Sequence, residues 1–308
     1  MIANRIFVME PASFGYNAET AVSNAFQTRP EAREERVRAA ALRQFGEFVQ
    51  VLESENILVD VLEDDRDEVR KDAIFLNNWF STHPDGTLIT YPMLSPMRRR
   101  ERDVRHLDYI IDNYRVQMQM TLEHYESDGM FLEGTGSMVI DHEYGVVYGC
   151  LSPRTHPIPF LRFCRLTGFT PVLFHATDES GIPVYHTNVM MALGQGFVVI
   201  NRAAVPEEDW RILRYYFTQT RKEIIEIAHD QMAAFLGNLI YIHDQDGQPC
   251  IVLSSGAEAV LRIDQRRSLE KYGRLIHSDL SVIEQAGGGS ARCMIAENYL
   301  LKRGDGRE

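Results

Sequence analysis

Gly287-Gly288-Gly289-Ser290-Ala291-Arg292-Cys293-Met294 sets three glycines ahead of one cysteine, with an arginine directly before it. Glycine lacks a Cβ, so such a run can turn with positive φ and let the backbone approach a ligand closely. A thiol after that turn is held at one point, and an adjacent cation favours its thiolate. That is one way to build a cysteine nucleophile. The same octet also reads as a flexible loop before a buried, inert cysteine. The decision rests on partners elsewhere in the chain.

A nucleophilic cysteine is paired with a histidine, and the histidine with an acid or amide that orients it. These partners need not be close in sequence. Among the ten histidines, His186 stands in Tyr185-His186-Thr187-Asn188-Val189-Met190-Met191, just ahead of an apolar run. In an extended chain, residues two apart face the same side. His186 and Asn188 then point into one pocket, although a satisfied polar pair at a strand start has the same spacing. Glu133, in Phe131-Leu132-Glu133-Gly134-Thr135-Gly136-Ser137, is the candidate acid, or an ordinary strand-end carboxylate. Asn77-Asn78-Trp79-Phe80-Ser81-Thr82-His83 suits a pocket wall and equally a turn. The basic run Met97-Arg98-Arg99-Arg100-Glu101-Arg102 is either a solvated helix face or a source of guanidinium groups for a substrate carboxylate.

Outward from these stretches, strand-like and helix-like patterns alternate along all 308 residues. Residues 5–9, 57–62, 73–80, 87–91, 130–140, 146–151, 171–174 and 189–200 read as strands. Residues 239–243 and 251–253 form a hairpin around Asp246-Gly247, and a last strand pair is expected around the glycine run. Helices are expected over 31–52, where Val37, Ala41, Phe45, Phe48, Val49 and Leu52 make one apolar stripe, and around Val104, Leu107, Ile110, Ile111 and Tyr114. Further helices are expected over 157–166, after Pro206, and over 263–272. Two or three short strands and then a helix recur about five times, which suggests radial or stacked repetition. No linker divides the chain, so residues 1–308 read as one domain.

Composition narrows the function. A net charge of −12 disfavours nucleic acid and anionic membranes as partners. The four cysteines form no C-x-x-C pair and read as reduced, intracellular thiols. No apolar run is long enough to cross a bilayer, and residues 1–11 do not resemble a signal peptide. A cytoplasmic location is the expectation. A homodimer is compatible with the sequence, which does not decide it.

The constellation resembles the guanidine-modifying enzymes of the pentein superfamily, namely arginine deiminases, dimethylarginine dimethylaminohydrolases and amidinotransferases. The likeness runs in matching order over most of the chain. Ser290-Ala291-Arg292-Cys293-Met294 resembles the nucleophile loop, Glu133-Gly134 the acid-glycine strand, and His186 falls on the catalytic histidine. Asn77 and Phe80 match the "PNxxFxRD" segment, and Arg98-Arg99-x-Glu101 resembles "ARRxE". The resemblance implies a five-bladed α/β propeller of ββαβ units. It implies Cys293 as nucleophile, His186 as general acid and base, and Glu133 as its orienting acid. Asn77, Phe80, Arg98 and Arg99 would serve the amino-acid substrate. Arg292 either lowers the thiol or binds the substrate carboxylate. No metal or organic cofactor is implied.

Two departures from arginine deiminases bear on the substrate. His83 and Asn188 stand where the family has the two aspartates that grip a guanidinium. A buried cation without a counter-charge costs on the order of several kcal/mol, whereas a neutral ureido group needs none. The expected function is therefore hydrolysis of a non-peptide C–N bond. The expected substrate is citrulline, giving ornithine, carbon dioxide and ammonia, as in the resembling subgroup associated with citrulline utilisation. Arginine deiminase or amidinotransferase activity is the alternative, and a non-catalytic binding protein the second.

Overall fold

The computed structural model describes residues 1–304. Strand β1 (Arg5–Met9) is followed by the helix Glu34–Ser54 and by β2 (Leu58–Leu62), which returns parallel to β1. The helix buries Val37, Ala41, Phe45, Phe48 and Leu52, the stripe expected from their spacing.

Four more units repeat this order with an extra leading strand. The second holds β3 (Phe80–Thr82), β4 (Thr87–Thr90), the helix Val104–Asn113 and β5 (Met118–Thr121). The third holds β6 (Met138–Asp141), β7 (Val146–Cys150), the helix Pro157–Thr167 and β8 (Thr170–Phe174). The fourth holds β9 (Met191–Gly194), β10 (Phe197–Ile200), the helix Glu207–Gln219 and β11 (Glu223–Glu226). The fifth holds β12 (Ile240–His243), β13 (Pro249–Ser254), the helix Ile263–Glu270 and β14 (Arg274–Ser278).

In each of these four sheets the first two strands are antiparallel and the third is parallel to the second. Finally β15 (Ala296–Glu297) pairs antiparallel with β1, through Ile6↔Glu297 and Phe7↔Ala296, and gives the first unit its leading strand. The result is five three-stranded sheets of ββαβ type, the architecture expected from the repeat. Leading strands of different units pack together, β15 on β3, β6 on β9 and β9 on β12. Among the described residues no helix is long and apolar enough to cross a membrane.

The local departures from expectation fall mainly at the turns that lead into strands. Residues 73–80 are not a strand: a 3₁₀ turn, Leu76–Asn78, occupies them, and the strand starts only at Phe80. Residues 130–140 contain the helical turn Gly134–Ser137 before β6, and residues 189–200 begin in the helical turn Thr187–Met190 before dividing into β9 and β10. These turns are buried like the strands they precede, so their side chains extend the apolar signal beyond the strand. The glycine run is likewise not a strand pair. The helix Ser281–Gly287 ends at Gly288 in the left-handed conformation, φ +65°, and a turn then leads to β15. Strands β5, β11 and β14 escape the periodicity reading because each is a sheet edge with partly exposed, polar-rich sequence.

Candidate active site

The segment running into the leading strand is the shared feature of all five units. It carries Asn78 before β3, Glu133 before β6, His186 and Asn188 before β9, Asn238 before β12, and Cys293 before β15. Every one of these side chains is buried. Glycines let the segments meet. A Cβ on Gly134, whose φ is +47°, would come within 2.3 Å of the Asn77 carbonyl oxygen. Cβ atoms on Gly287 and Gly289 would meet the Phe75 ring at 2.6 and 2.9 Å.

On one side of the site, His186 Nε2 donates to Glu133 Oε2 at 2.8 Å. Glu133 also accepts from the Leu94 amide at 3.0 Å and from Arg154 Nη1 at 3.4 Å, with Arg98 Nη1 at 3.9 Å. Burial by itself would raise the Glu133 carboxyl, but Arg154, the His186 hydrogen bond and Arg98 hold it well below the usual carboxylate range. Burial pushes His186 down to about 4, against the opposing pull of Glu133. The pair is therefore a carboxylate and a neutral imidazole. Among the described residues the other ring nitrogen, Nδ1, has no hydrogen-bond partner.

On the other side, Cys293 Sγ lies 3.2 Å from Asn238 Nδ2 and 3.5 Å from Asn188 Nδ2. Burial raises the Cys293 thiol, while the Asn238 and Asn188 amides and Arg292 act the opposite way. Cys150 and Cys164 are pushed up to about 12, and Cys250 to about 11.

Cys293 and His186 line the same cavity, together with Asn78, Arg98, Arg154, Tyr185, Asp72 and the glycine run. Its roof is the segment from Asn17 to Gln27. Asn24 Nδ2 bonds the carbonyls of Gly287 and Gly288, and Gln27 Nε2 bonds that of Ala286. Arg154 ties to the Thr20 carbonyl and the Ser23 hydroxyl. The free volume is only about 10 Å³, close to that of one water molecule. As it stands, the cavity has no room for an amino acid.

The structure brings Cys293, His186, Glu133, Asn188 and Arg98 together, but several expected site residues lie elsewhere. His83 is packed against Phe163, Phe169 and His142, with Nε2 2.9 Å from Ser81 Oγ, and does not reach the cavity. It follows Asn78 by a whole strand, so the motif spacing carries it past the site. Phe80 belongs to an apolar cluster with Phe7, Trp79 and Tyr114. Asn77 is turned onto Thr135 Oγ1 at 3.2 Å, and its neighbour Asn78 faces the cavity instead.

Arg99 bonds the Met93 carbonyl and pairs with Glu126. Arg98 is present, but its donors are spent on Glu101, Asn78 Oδ1 and the Phe75 carbonyl. Arg292 pairs with Glu297 at 2.8 Å and lines a separate cavity with His142 and Tyr241. His186 and Asn188 are not two residues of a strand facing one pocket: His186 is extended and lines the cavity, whereas Asn188 sits in a helical turn with its amide on the Cys293 sulfur and does not line it.

The absence of a carboxylate from the pocket is also overturned. Asp72 lines it, with Oδ2 held by Asn17 Nδ2 at 2.7 Å and Thr20 Oγ1 at 3.1 Å, while buried Oδ1 has no partner. Asp72 stands outside the motif that directed attention to His83. Arg154 and Asn238 were missed too. Asn238 was legible by repeat counting, since Gly237-Asn238 precedes β12 as Cys293 precedes β15.

The likenesses to solved structures agree with this architecture. ArgZ in its apo structure, an arginine dihydrolase from the ornithine-ammonia cycle in cyanobacteria, matches 95% of the chain with a TM-score of 0.74 at 14% identity. The chain spans 40% of that relative's length. The N-terminal domain of ArgZ, as a variant covalently bound to a reaction intermediate, matches 95% of this chain and 96% of its own at TM-score 0.73 and 15% identity. A dimethylarginine dimethylaminohydrolase adduct with 4-chloro-2-hydroxymethylpyridine matches 97% and 100%, at TM-score 0.65 and 15% identity. At such identities these matches show the fold, the five-unit α/β propeller of the penteins. No curated protein matches the chain in sequence. The family model described as "N,N dimethylarginine dimethylhydrolase, eukaryotic" matches residues 10–300, and the chain belongs to that family.

Proposed function

We propose that the chain hydrolyses a non-peptide C–N bond in a ureido or guanidino amino acid, through a covalent intermediate on Cys293. The observation that carries this reading is the single cavity lined by the Cys293 thiol and the Glu133-bound His186. A neutral imidazole beside a thiol can take its proton. The sulfur then bonds the ureido carbon. The C–N bond to the amine breaks as His186 returns the proton to the departing nitrogen. A water next gives a proton to His186 while its oxygen bonds the carbamoyl carbon. The C–S bond breaks, and the proton passes back to sulfur. Glu133 holds the imidazole and stabilises its charged form. No other group is consumed.

Citrulline is the substrate favoured by the surroundings of the sulfur. Asn188 and Asn238, both neutral, contact it, and the Asn188 amide N–H can donate to a ureido oxygen. The intermediate is then a thiocarbamate, and the products are ornithine and carbamic acid, which decomposes to carbon dioxide and ammonia. One observation favours arginine as well. The unpartnered, buried Oδ1 of Asp72 suits a cation, either a guanidinium or the α-ammonium of any amino acid. Three of the related structures carry the name arginine dihydrolase. Hydrolysis of a guanidine to a urea leaves the ureido group that citrulline contains, so both readings use the same chemistry. Four free cysteines suit a reducing, cytoplasmic setting.

Incubation with citrulline, arginine, agmatine and dimethylarginine, with products identified by mass spectrometry, tests the proposal. Ornithine and ammonia from citrulline are expected. Release of neither ammonia nor amine from any of the four overturns it. Efficient turnover of arginine with citrulline ignored would instead assign the site to guanidines.

A further inference from the structure

Asn238 is the contribution of the fifth unit to the cluster, at the position where the other units place Asn78, Glu133, His186 with Asn188, and Cys293. Nothing in the proposed reaction uses it, yet it is wholly buried against the reacting atom. Its Nδ2 lies 3.2 Å from Cys293 Sγ and 2.7 Å from the Asn188 carbonyl oxygen. Its Oδ1 accepts from the Cys293 backbone amide at 3.4 Å, and its own carbonyl accepts from the Arg292 amide at 3.2 Å. The two amide ends are thus both engaged by neighbours, which fixes the amide orientation and turns one N–H toward the sulfur. Gly237 makes the approach feasible, because a Cβ there would lie 2.3 Å from the Val189 carbonyl oxygen.

Asn188 differs. Its side-chain amide meets only the sulfur among the described residues, at 3.5 Å from Nδ2 and 3.8 Å from Oδ1. The cation beside the nucleophile in sequence, Arg292, is spent on Glu297 and the Ile295 carbonyl.

We infer that Asn238 is the group that stabilises the anionic sulfur of Cys293, a fixed neutral donor standing where an unpaired cation would otherwise be needed, which leaves the Asn188 amide free to turn to the substrate. This rests on the reading of Cys293 as nucleophile. The ionisation is the one already described: the thiol proton goes to His186 and the electron pair stays on sulfur, facing the Asn238 N–H. A neutral donor has a consequence for selectivity. It stabilises the thiolate without adding a positive charge that would repel a cationic substrate carbon, so a ureido and a guanidino group are both admitted.

The test is the pH dependence of Cys293 alkylation by iodoacetamide, followed peptide by peptide in wild type, Asn238→Leu, Asn238→Asp and Asn188→Leu. The apparent thiol pKa should rise by about one unit in Asn238→Leu, the worth of one good hydrogen bond. It should rise further in Asn238→Asp, which keeps the shape and places a negative charge beside the sulfur. Asn188→Leu should move it less. Wild-type profiles in both Asn238 variants overturn the inference, and the near-isosteric Asp variant carries the test should the Leu variant fail to fold. Failure of the underlying reading looks different: Cys293→Ser would retain turnover, and no substrate adduct would form on wild-type Cys293.

Discussion

The two walls of the cavity are built on opposite principles. The His186 wall is a buried ionic assembly in which Arg98, Glu101, Glu133 and Arg154 neutralise one another with nearly every donor assigned. The Cys293 wall is neutral, made of the thiol and glycine backbone, with two asparagine amides behind the sulfur. Ion pairs removed from water are strongly destabilising when half broken, so the first wall cannot adjust. A neutral amide can be exchanged or turned at small cost. In the proposed reaction the charged wall would set the protonation state of the base once, and the neutral wall would set thiol reactivity and substrate preference.

The sharpest break of this contrast is at sulfur. Cys293→Ser should abolish turnover, by on the order of 10⁴-fold or more because an unactivated hydroxyl is a far weaker nucleophile, with circular dichroism unchanged. Steady-state ammonia release checks it. Next is the charged wall. Arg98→Met leaves Glu101 and Glu133 short of a partner, and denaturant unfolding should show a loss of about 3–5 kcal/mol. Substitutions of similar size at Asn188 should cost much less stability.

Behind the neutral wall, Asn188→Asp removes the N–H that the proposed reaction offers to a ureido oxygen. That should lower citrulline turnover by roughly ten- to a hundredfold, the equivalent of about 1–3 kcal/mol, and shift preference toward arginine, as kcat/KM on both substrates would reveal.

A fourth outcome concerns acid. Burial depresses His83 to about 3 and His142 and His186 to about 4. For a base whose folded pKa is depressed, the unfolded chain binds more protons once pH drops below its ordinary value of about 6.5. Stability should then fall as pH falls from about 6.5 toward 4, by up to about 2 kcal/mol per histidine at pH 5. Unfolding measured at pH 7.5 and pH 5 reads this directly. The smallest effect is expected at Arg292, whose charge Glu297 already neutralises. Arg292→Met should change the Cys293 alkylation rate by less than about threefold, as a screened pair would.

How much of this was legible depended on whether a residue announced itself locally. The five-unit order was readable because each central strand and each crossing helix carries a periodic apolar pattern. Cys293, Glu133 and His186 were readable because glycines or an apolar run frame them. Asp72 was not, since nothing in Lys71-Asp72-Ala73 distinguishes a cavity carboxylate from a surface one. Its role comes from Asn17 and Thr20, brought to it across the fold. His83 shows the reverse error: motif spacing pointed to a pocket, but the intervening strand β3 carries the side chain into an aromatic cluster. Asn238 lies between these cases, silent as a residue but marked by its place in the repeat.

The pairing of β1 with β15 joins residue 6 to residue 297, and Cys293, the proposed nucleophile, lies on the turn just before that seam. Contacts so distant in sequence form late, after the chain has paid most of its entropy of closure. A chain that has folded four units holds the glutamate, the histidine and the glycine-framed turns, but its cysteine is still an ordinary flexible thiol. Regain of activity after dilution from denaturant should therefore report the pairing of β1 with β15.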